Sequence, residues 1–532
     1  MDSRELKMPG YMVYCVLIAA LGSFCNGWVI GSANVPGEIT HNCPNGSAHV
    51  ANPSFPDCLP MDTALWGFAV SAFCVGGLVG GITGGVVQTK LGRKKSIFVN
   101  TFGWIVGAIL MGASVHGGMF IVGRLIAGLS CGLGSLCIPT YIGEISTIRA
   151  RGAMGTFHQF FIVIGILLAS VIGLPTSKVP LWRINYAIVG IPAILQAFLI
   201  TTCVDSPRWL VSVNRIEDAR YALQKLRGKN ASIDGELYEI VENQIGPAAA
   251  ASTIRKNDGD VEMKKSPSPA LEDQALEPTA TPESEDIHEN LSLIGIFKDS
   301  LVRRVTIVVL SLHFIQQWIG MNAVILYSTT IFASAFDSSM SQYLAIATTG
   351  MNFVATLASV LLVDRMGRRP LLLIAEAGCT IFSVLLVIGY RFNVSGLLIA
   401  SVFLYVASFA IGIGPIPWML TSELSPTYAN SSVGAAATCM NWAMNFVIGQ
   451  VFPIIFEEIA GYAFCIFVGV GIVSFAFTWI MLPETKNRSI ENIVRDLARK
   501  TGNANLEIDE SRIASRPSSR IASRAPSMHG AQ

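Results

Sequence analysis

The stretch Lys90-Leu91-Gly92-Arg93-Lys94-Lys95 stands between two apolar runs, 62–84 and 97–115. It has a counterpart in Asp364-Arg365-Met366-Gly367-Arg368-Arg369, between the runs 342–363 and 370–390. A short basic island between runs of roughly 20 apolar residues joins two bilayer-crossing helices on the side where lysine and arginine accumulate. Eight further runs of the same kind lie at 11–33, 119–141, 152–174, 184–203, 304–334, 396–420, 431–456 and 461–482, making twelve spans. Composition agrees. Of 532 residues 52% are hydrophobic and 14% charged, where soluble domains carry about a quarter charged. With a mean hydropathy of +0.52, such a chain cannot cover a water-facing surface. Lys and Arg (37) balance Asp and Glu (36), so no global field points to nucleic acid. Continuous apolar runs exclude the alternating pattern of a transmembrane β-barrel. The expected fold is an all-α polytopic membrane protein.

Repetition organises the spans. Gly92 and Gly367 stand 275 residues apart; Gly143-Glu144-Ile145-Ser146 and Ser422-Glu423-Leu424-Ser425 are offset by 279, and the prolines of Ser206-Pro207-Arg208 and Pro483-Glu484-Thr485 by 276. Three pairs at nearly one offset indicate two pseudo-symmetric six-helix halves, with a cavity between them where a transporter holds its substrate. The basic links, Arg149-Ala150-Arg151 included, alternate with the link 34–61, which has no Lys or Arg. Both termini are therefore expected on the cytosolic side. The divisions read as a cytosolic N-terminus over 1–10, a first half over 11–203, a cytosolic linker over 204–303, a second half over 304–482 and a mostly disordered cytosolic tail over 483–532. Within the linker, Glu217 to Gly228 reads as an amphipathic helix, and about 246–290 as a disordered Pro-, Ser-, Ala- and Glu-rich insert. The tail repeats Arg-Ile-Ala-Ser at 512–515 and 520–523, which suits a basic-directed kinase and a phosphoserine reader, or a plain solvated tail.

Of eleven cysteines, nine fall in expected spans as small buried apolar residues. Cys43 and Cys58 stand in the outward link, where oxidising conditions allow them to pair, and Asn45-Gly46-Ser47 is a glycosylation sequon on that side. No metal-ligand spacing, phosphate loop, paired carboxylates or nucleophile–base pair is present in the spans. Neither a cofactor nor an enzyme is expected.

Polar residues inside the membrane mark the pathway. His158 and Gln159 lie in span five, Gln316, Gln317 and Asn322 in span seven, Asn352 in span eight, and Asn441 and Asn445 one turn apart in span eleven. Amides both donate and accept, as sugar hydroxyls do, and the Trp418 ring suits the C–H face of a pyranose. The set reads as a site for a neutral polyhydroxylated solute; for any single amide, helix–helix contact is the alternative. Gly320, and the run Gly412-Ile413-Gly414-Pro415-Ile416-Pro417, interrupt spans seven and ten as hinges or static kinks.

These residues resemble sugar porters of the major facilitator superfamily, close to the animal-type facilitative glucose transporters. The resemblance runs from about Tyr11 to Arg488 and rests on Gly123-Arg124-Leu125-Ile126, Arg151-Gly152, His158-Gln159, Asp205-Ser206-Pro207-Arg208-Trp209, Gln316-Gln317, Gly320-Met321-Asn322, Pro415-Ile416-Pro417-Trp418, Asn441-Trp442 and Pro483-Glu484-Thr485-Lys486. It implies that Gln159, Gln316, Gln317, Asn322, Asn352 and Asn441 hold hexose hydroxyls and that Trp418 stacks on the sugar. Tyr327 is implied as an outer-gate residue. Arg93, Glu144 and Arg151 with Arg368, Arg369 and Glu423 are implied as a cytosolic ion-pair latch. The implied activity is facilitated hexose transport, glucose first, across the plasma membrane.

The chain departs from the family pattern at Thr89 and Asn430, which bear on the latch, and at Ala410 and Trp318-Ile319, which bear on the preferred hexose. Proton-coupled relatives carry an Asp where this chain has Val29, and no acidic residue lies between Glu5 and Glu38. Uniport is therefore expected over proton symport, with a transporter-like sugar sensor as a further alternative.

Overall fold

The computed structural model describes residues 8–43, 49, 54–147, 150–245, 294–425 and 429–486. The sequon at Asn45, the insert at 246–290 and the tail repeats lie outside the described residues. So does the side chain of Arg151.

The first half contains α1 (Gly10–Gly31), α2 (Thr63–Leu91), α3 (Arg93–Gly112), α4 (Gly117–Ile145), α5 (Arg151–Thr176) and α6 (Trp182–Ile200). Three short helices follow: α7 (Pro207–Ser212), α8 (Ile216–Arg227) and α9 (Asp234–Ile245). The second half contains α10 (Ser300–Trp318), α11 (Met321–Ala333), α12 (Ser338–Met366), α13 (Arg368–Arg391), α14 (Ser395–Ile411), α15 (Ile416–Leu424), α16 (Asn430–Ile459) and α17 (Phe464–Met481). Spans seven and ten are thus each two helices, α10–α11 and α14–α15. The final apolar stretch, Ser432–Met481, runs for 50 residues. As one helix it would reach about 75 Å, more than twice the ~30 Å hydrocarbon core. It breaks at Ala460, whose φ is 46°, into two crossings, so the described residues make twelve spans.

Local chemistry sets the boundaries, and sets them alike in both halves. Asp62 caps α2 by accepting from the Leu65 N–H, and Asp337 caps α12 by accepting from that of Met340. Gly92 and Gly367, at φ 85° and 94°, turn the chain into α3 and α13. The orphan N–H groups there are taken by carboxylates from the far end of each half. Asp205 accepts from Arg93 and Lys94 at 3.1 and 3.2 Å, and Glu484 from Arg368 and Arg369, both at 3.1 Å.

Small residues bring the helices together. A Cβ on Gly128 of α4 would lie 2.0 Å from the Phe73 carbonyl oxygen of α2, and one on Gly76 of α2 2.0 Å from that of Leu125. Without a hydrophobic drive between helices in lipid, such backbone approach is what holds them. Between the halves, α2 packs on α16, α5 on α12 and α1 on α11. Advancing each partner by six spans exchanges the first two contacts and reverses the third, as a pseudo-twofold axis requires.

The linker differs from its sequence reading. Besides the helix over 216–227, α9 buries Leu237, Ile240 and Val241. Arg227 of α8 binds Glu236 of α9 at 2.7 Å and donates to the Ile145 carbonyl at the end of α4, also at 2.7 Å. The short helices are therefore fastened to the basic end of the first half.

Candidate functional site

The two helix breaks free backbone groups that side chains must satisfy. At the first, Gly320 adopts φ 101°, and the Asn322 amide donates back to Gln317 Oε1 across the gap. At the second, α14 stops at Ile411, and Gly412 and Gly414 both donate to the Phe409 carbonyl. The α15 helix resumes with proline in its first turn, where no N–H is lost to the ladder. Gln316 Nε2 donates to the freed carbonyls of Ile413 and Gly414 at 2.9 and 2.6 Å, while its Oε1 accepts from Asn441 Nδ2 at 2.6 Å. That Asn441 nitrogen lies 3.2 Å from His313 Nδ1, and His313 Nε2 lies 3.0 Å from Thr421 Oγ1. The His313 ring meets Trp418 edge-on at 4.6 Å. Four polar side chains and the Trp418 ring are thus brought together where α10, α15 and α16 meet, while Gln317 and Asn322 pair with each other at the adjoining α10–α11 break. Trp418 keeps 37% of its surface exposed.

Gln159, on α5, and Asn352, on α12, are not hydrogen-bonded into this group. They flank the contact between the halves, where the Phe160 and Phe353 rings lie 5.6 Å apart. His158 binds Ser23 Oγ of α1 at 2.7 Å, so it serves the packing of the first half.

At the end carrying the 34–61 link, the halves are tied. Asn34 donates to Ser328 Oγ at 2.7 Å and accepts from Thr329 N–H and Oγ1 at 3.2 and 3.1 Å. Gln450 of α16 donates to the Ala64 carbonyl of α2 at 3.1 Å. Tyr327 is buried beside these contacts, its hydroxyl on the Gly449 carbonyl at 2.7 Å, and its φ of −130° kinks α11 there. The Cys43–Cys58 disulfide, with Cα atoms 5.8 Å apart, closes the link. This end is shut.

At the basic end two ion pairs among the described residues each lie within one half. Arg93 binds Glu144 at 2.8 Å and Arg368 binds Glu423 at 2.9 Å. Arg369 instead turns to α17, donating to the Trp479 carbonyl at 2.7 Å and lying 5.4 Å from its ring. A pair within one half does not by itself bolt the halves together. Among the described residues, hydrogen bonds join the halves at the link end, while these charge pairs of the basic end lie each within its own half.

Three hydrogen bonds through Asn34 contribute about 1 kcal/mol each. Asn34→Ala should therefore loosen the contact between the halves at this end. A cysteine replacing Ser71, buried where Gly449 approaches α2, should react with an impermeant maleimide about tenfold faster in the Asn34→Ala background. Unchanged labelling would show that these bonds do not hold the gate.

Two charged groups buried in the bundle are structural. Arg124 of α4 donates to the Val29 and Val70 carbonyls, both at 2.6 Å, and sits 4.8 Å over the Phe73 ring, tying α1, α2 and α4. Glu376 of α13 accepts from Thr478 of α17 at 2.8 Å. Sequence reasoning missed His313, Thr421, Asn34, Ser328 and Thr329. Only His313 carried a usable signal: it lies one turn before Gln316 and so shares its face.

Twelve crossings in two pseudo-symmetric halves, with broken helices meeting at a cluster of amides and the halves hydrogen-bonded to each other at one end, define a membrane transporter of the alternating-access kind. A family model described as "Sugar (and other) transporter" matches residues 15–245 and 247–497. The chain belongs to that family. It is 34% identical to solute carrier family 2, facilitated glucose transporter member 2, of Mus musculus, across 94% of this chain and 96% of that one. It is 33% identical to member 4 of Homo sapiens across 92% of each chain. Among solved structures, the proton:xylose symporter XylE bound to 6-bromo-6-deoxy-D-glucose superposes with a TM-score of 0.67 at 23% identity, covering 92% of this chain and 99% of that one. A partially occluded inward open form of the xylose transporter XylE from E. coli gives 0.66 at 22%, covering 90% of this chain and all of the other. At that identity the likeness concerns the fold.

Proposed function

We propose that this protein is a facilitative uniporter of hexoses, glucose first, working by alternating access in the plasma membrane with both termini cytosolic. The observation that carries the reading is the hydrogen-bonded group Gln316, Asn441 and His313 beside Gln317, Asn322 and Trp418. It offers donors, acceptors and a ring face to an uncharged polyol. The names of the facilitated glucose transporters it resembles over more than nine-tenths of its length support the hexose. Gln159 and Asn352 complete the site from the two sides of the α5–α12 contact when sugar binds. Tyr327 gates the outer end, with Gly412, Gly414, Pro415 and Pro417 as the flexing break of span ten.

Val29 supports uniport. A carboxylate facing the buried guanidinium would be the natural proton carrier, and here Arg124 faces backbone carbonyls instead. The charge pairs of the basic end act as a latch by fixing α3 and α13 against α4 and α15, so that each half moves as a unit. The Arg-Ile-Ala-Ser repeats are a kinase target in this reading.

Several hydrogen bonds of about 1 kcal/mol each give roughly millimolar affinity, which suits a carrier that must release its load. Proteoliposomes should therefore take up labelled glucose with a millimolar half-saturation and stop at equal concentrations on both sides. Charged sugars such as hexose phosphates should not compete. Competition by hexose phosphate, or failure of all hexoses to enter, would overturn the reading.

A further inference from the structure

The carbonyls freed at the two breaks are satisfied crosswise. The break in span ten is held by Gln316, which belongs to span seven, through Ile413 and Gly414. The break in span seven is held by Tyr405, which belongs to span ten: its hydroxyl donates to the Ile319 carbonyl at 2.5 Å. In an unbroken helix Ile319 would accept from the N–H of residue 323, but the left-handed Gly320 turns the chain away. Tyr405 is fully buried, so its hydroxyl and that carbonyl have no water to fall back on. A third freed carbonyl, Ile411, accepts from Ser359 Oγ of α12 at 2.8 Å and lies outside the exchange.

We infer that Gln316 and Tyr405 form a reciprocal clasp that makes the two breaks one hinge, with Tyr405 as the positioning residue for α11. When sugar competes for the Gln316 amide, the span-ten break loosens. Through Tyr405 the same displacement reaches the base of α11, whose far end carries Tyr327 and the ties to Asn34. This rests on the transport reading for its purpose, though not for its geometry.

Tyr405→Phe removes the hydroxyl and little else. Hydrogen–deuterium exchange on the full chain in lipid nanodiscs, without sugar, should show amides at both 320–324 and 412–419 exchanging about fivefold faster than in the unmodified protein, the loss expected of one hydrogen bond. Faster exchange at 320–324 alone, or at neither segment, would overturn the coupling. Melting temperature of the same samples separates a general loosening, in which distant helices such as α4 also exchange faster; that result too would count against it. In proteoliposomes the ratio of equilibrium exchange to zero-trans uptake, which does not depend on how much protein is active, should fall severalfold with half-saturation little changed. An unchanged ratio would contradict the hinge's role in translocation. If the unmodified protein moved no hexose, the transport reading would fail while the exchange experiment still decided the clasp.

Discussion

Gln316→Ala should lower the efficiency of hexose uptake by about a hundredfold or more. Gln316 is 5% exposed and makes three hydrogen bonds, two to the carbonyls of the span-ten break and one to Asn441. Removing its amide leaves buried acceptors without partners, at about 1–3 kcal/mol apiece. In the proposed site it also removes a donor and an acceptor that a sugar would use. The two losses act on different quantities. The first destabilises the arrangement of α14 and α15, and the second weakens sugar binding in every state. Uptake efficiency normalised to folded protein, with melting temperature measured alongside, should fall together with a lowered melting temperature. Uptake within threefold of the unmodified protein would remove Gln316 from the site.

Gly320→Ala should be nearly as severe. At φ 101° a residue with a Cβ is strained by about 1–2 kcal/mol, and the added carbon would lie 2.4 Å from the Phe467 ring of α17. The ring cannot retreat freely, because Phe452 and Phe464 pack on it at 6.0 and 5.5 Å. Straightening the break to relieve the strain would swing Asn322 away from Gln317 and move Tyr405's acceptor. Transport should fall to background. Adding Phe467→Leu, which removes the clash but not the backbone strain, should restore a minor part of it. Full activity of Gly320→Ala would mean that the break is a passive kink.

Much of this was legible in the sequence because apolar run length, basic links and a near-constant repeat offset are each set by the bilayer or by gene-level duplication. The positions of the breaks were legible too, since glycine and proline act locally. What the breaks require was not. Whether Gln316 spends its amide on a sugar or on the Ile413 and Gly414 carbonyls depends on how span ten lies against span seven. Partners of charges were hidden for a similar reason. Arg368 and Arg369 are adjacent and alike, yet one meets Glu423 and the other Trp479, because successive residues on a helix face about 100° apart. Asn34, Ser328 and Thr329 look like ordinary polar residues near helix ends. Only the meeting of α1 with α11 brings them into contact. Pro207 and Pro483 served as repeat markers, while the role of the nearby Asp205 and Glu484 as caps of α3 and α13 needed the fold. The helix over 234–245 had an amphipathic pattern but sits beside a polar, proline-rich stretch that masked it.

The central claim, uncoupled movement of a neutral hexose, is tested most directly by counterflow in proteoliposomes with and without an imposed pH gradient. Vesicles preloaded with unlabelled glucose should transiently concentrate labelled glucose to the same extent in both conditions, and vesicles without a preload should never concentrate it. Proton-driven accumulation in the empty vesicles, or no counterflow with any hexose, would contradict the account.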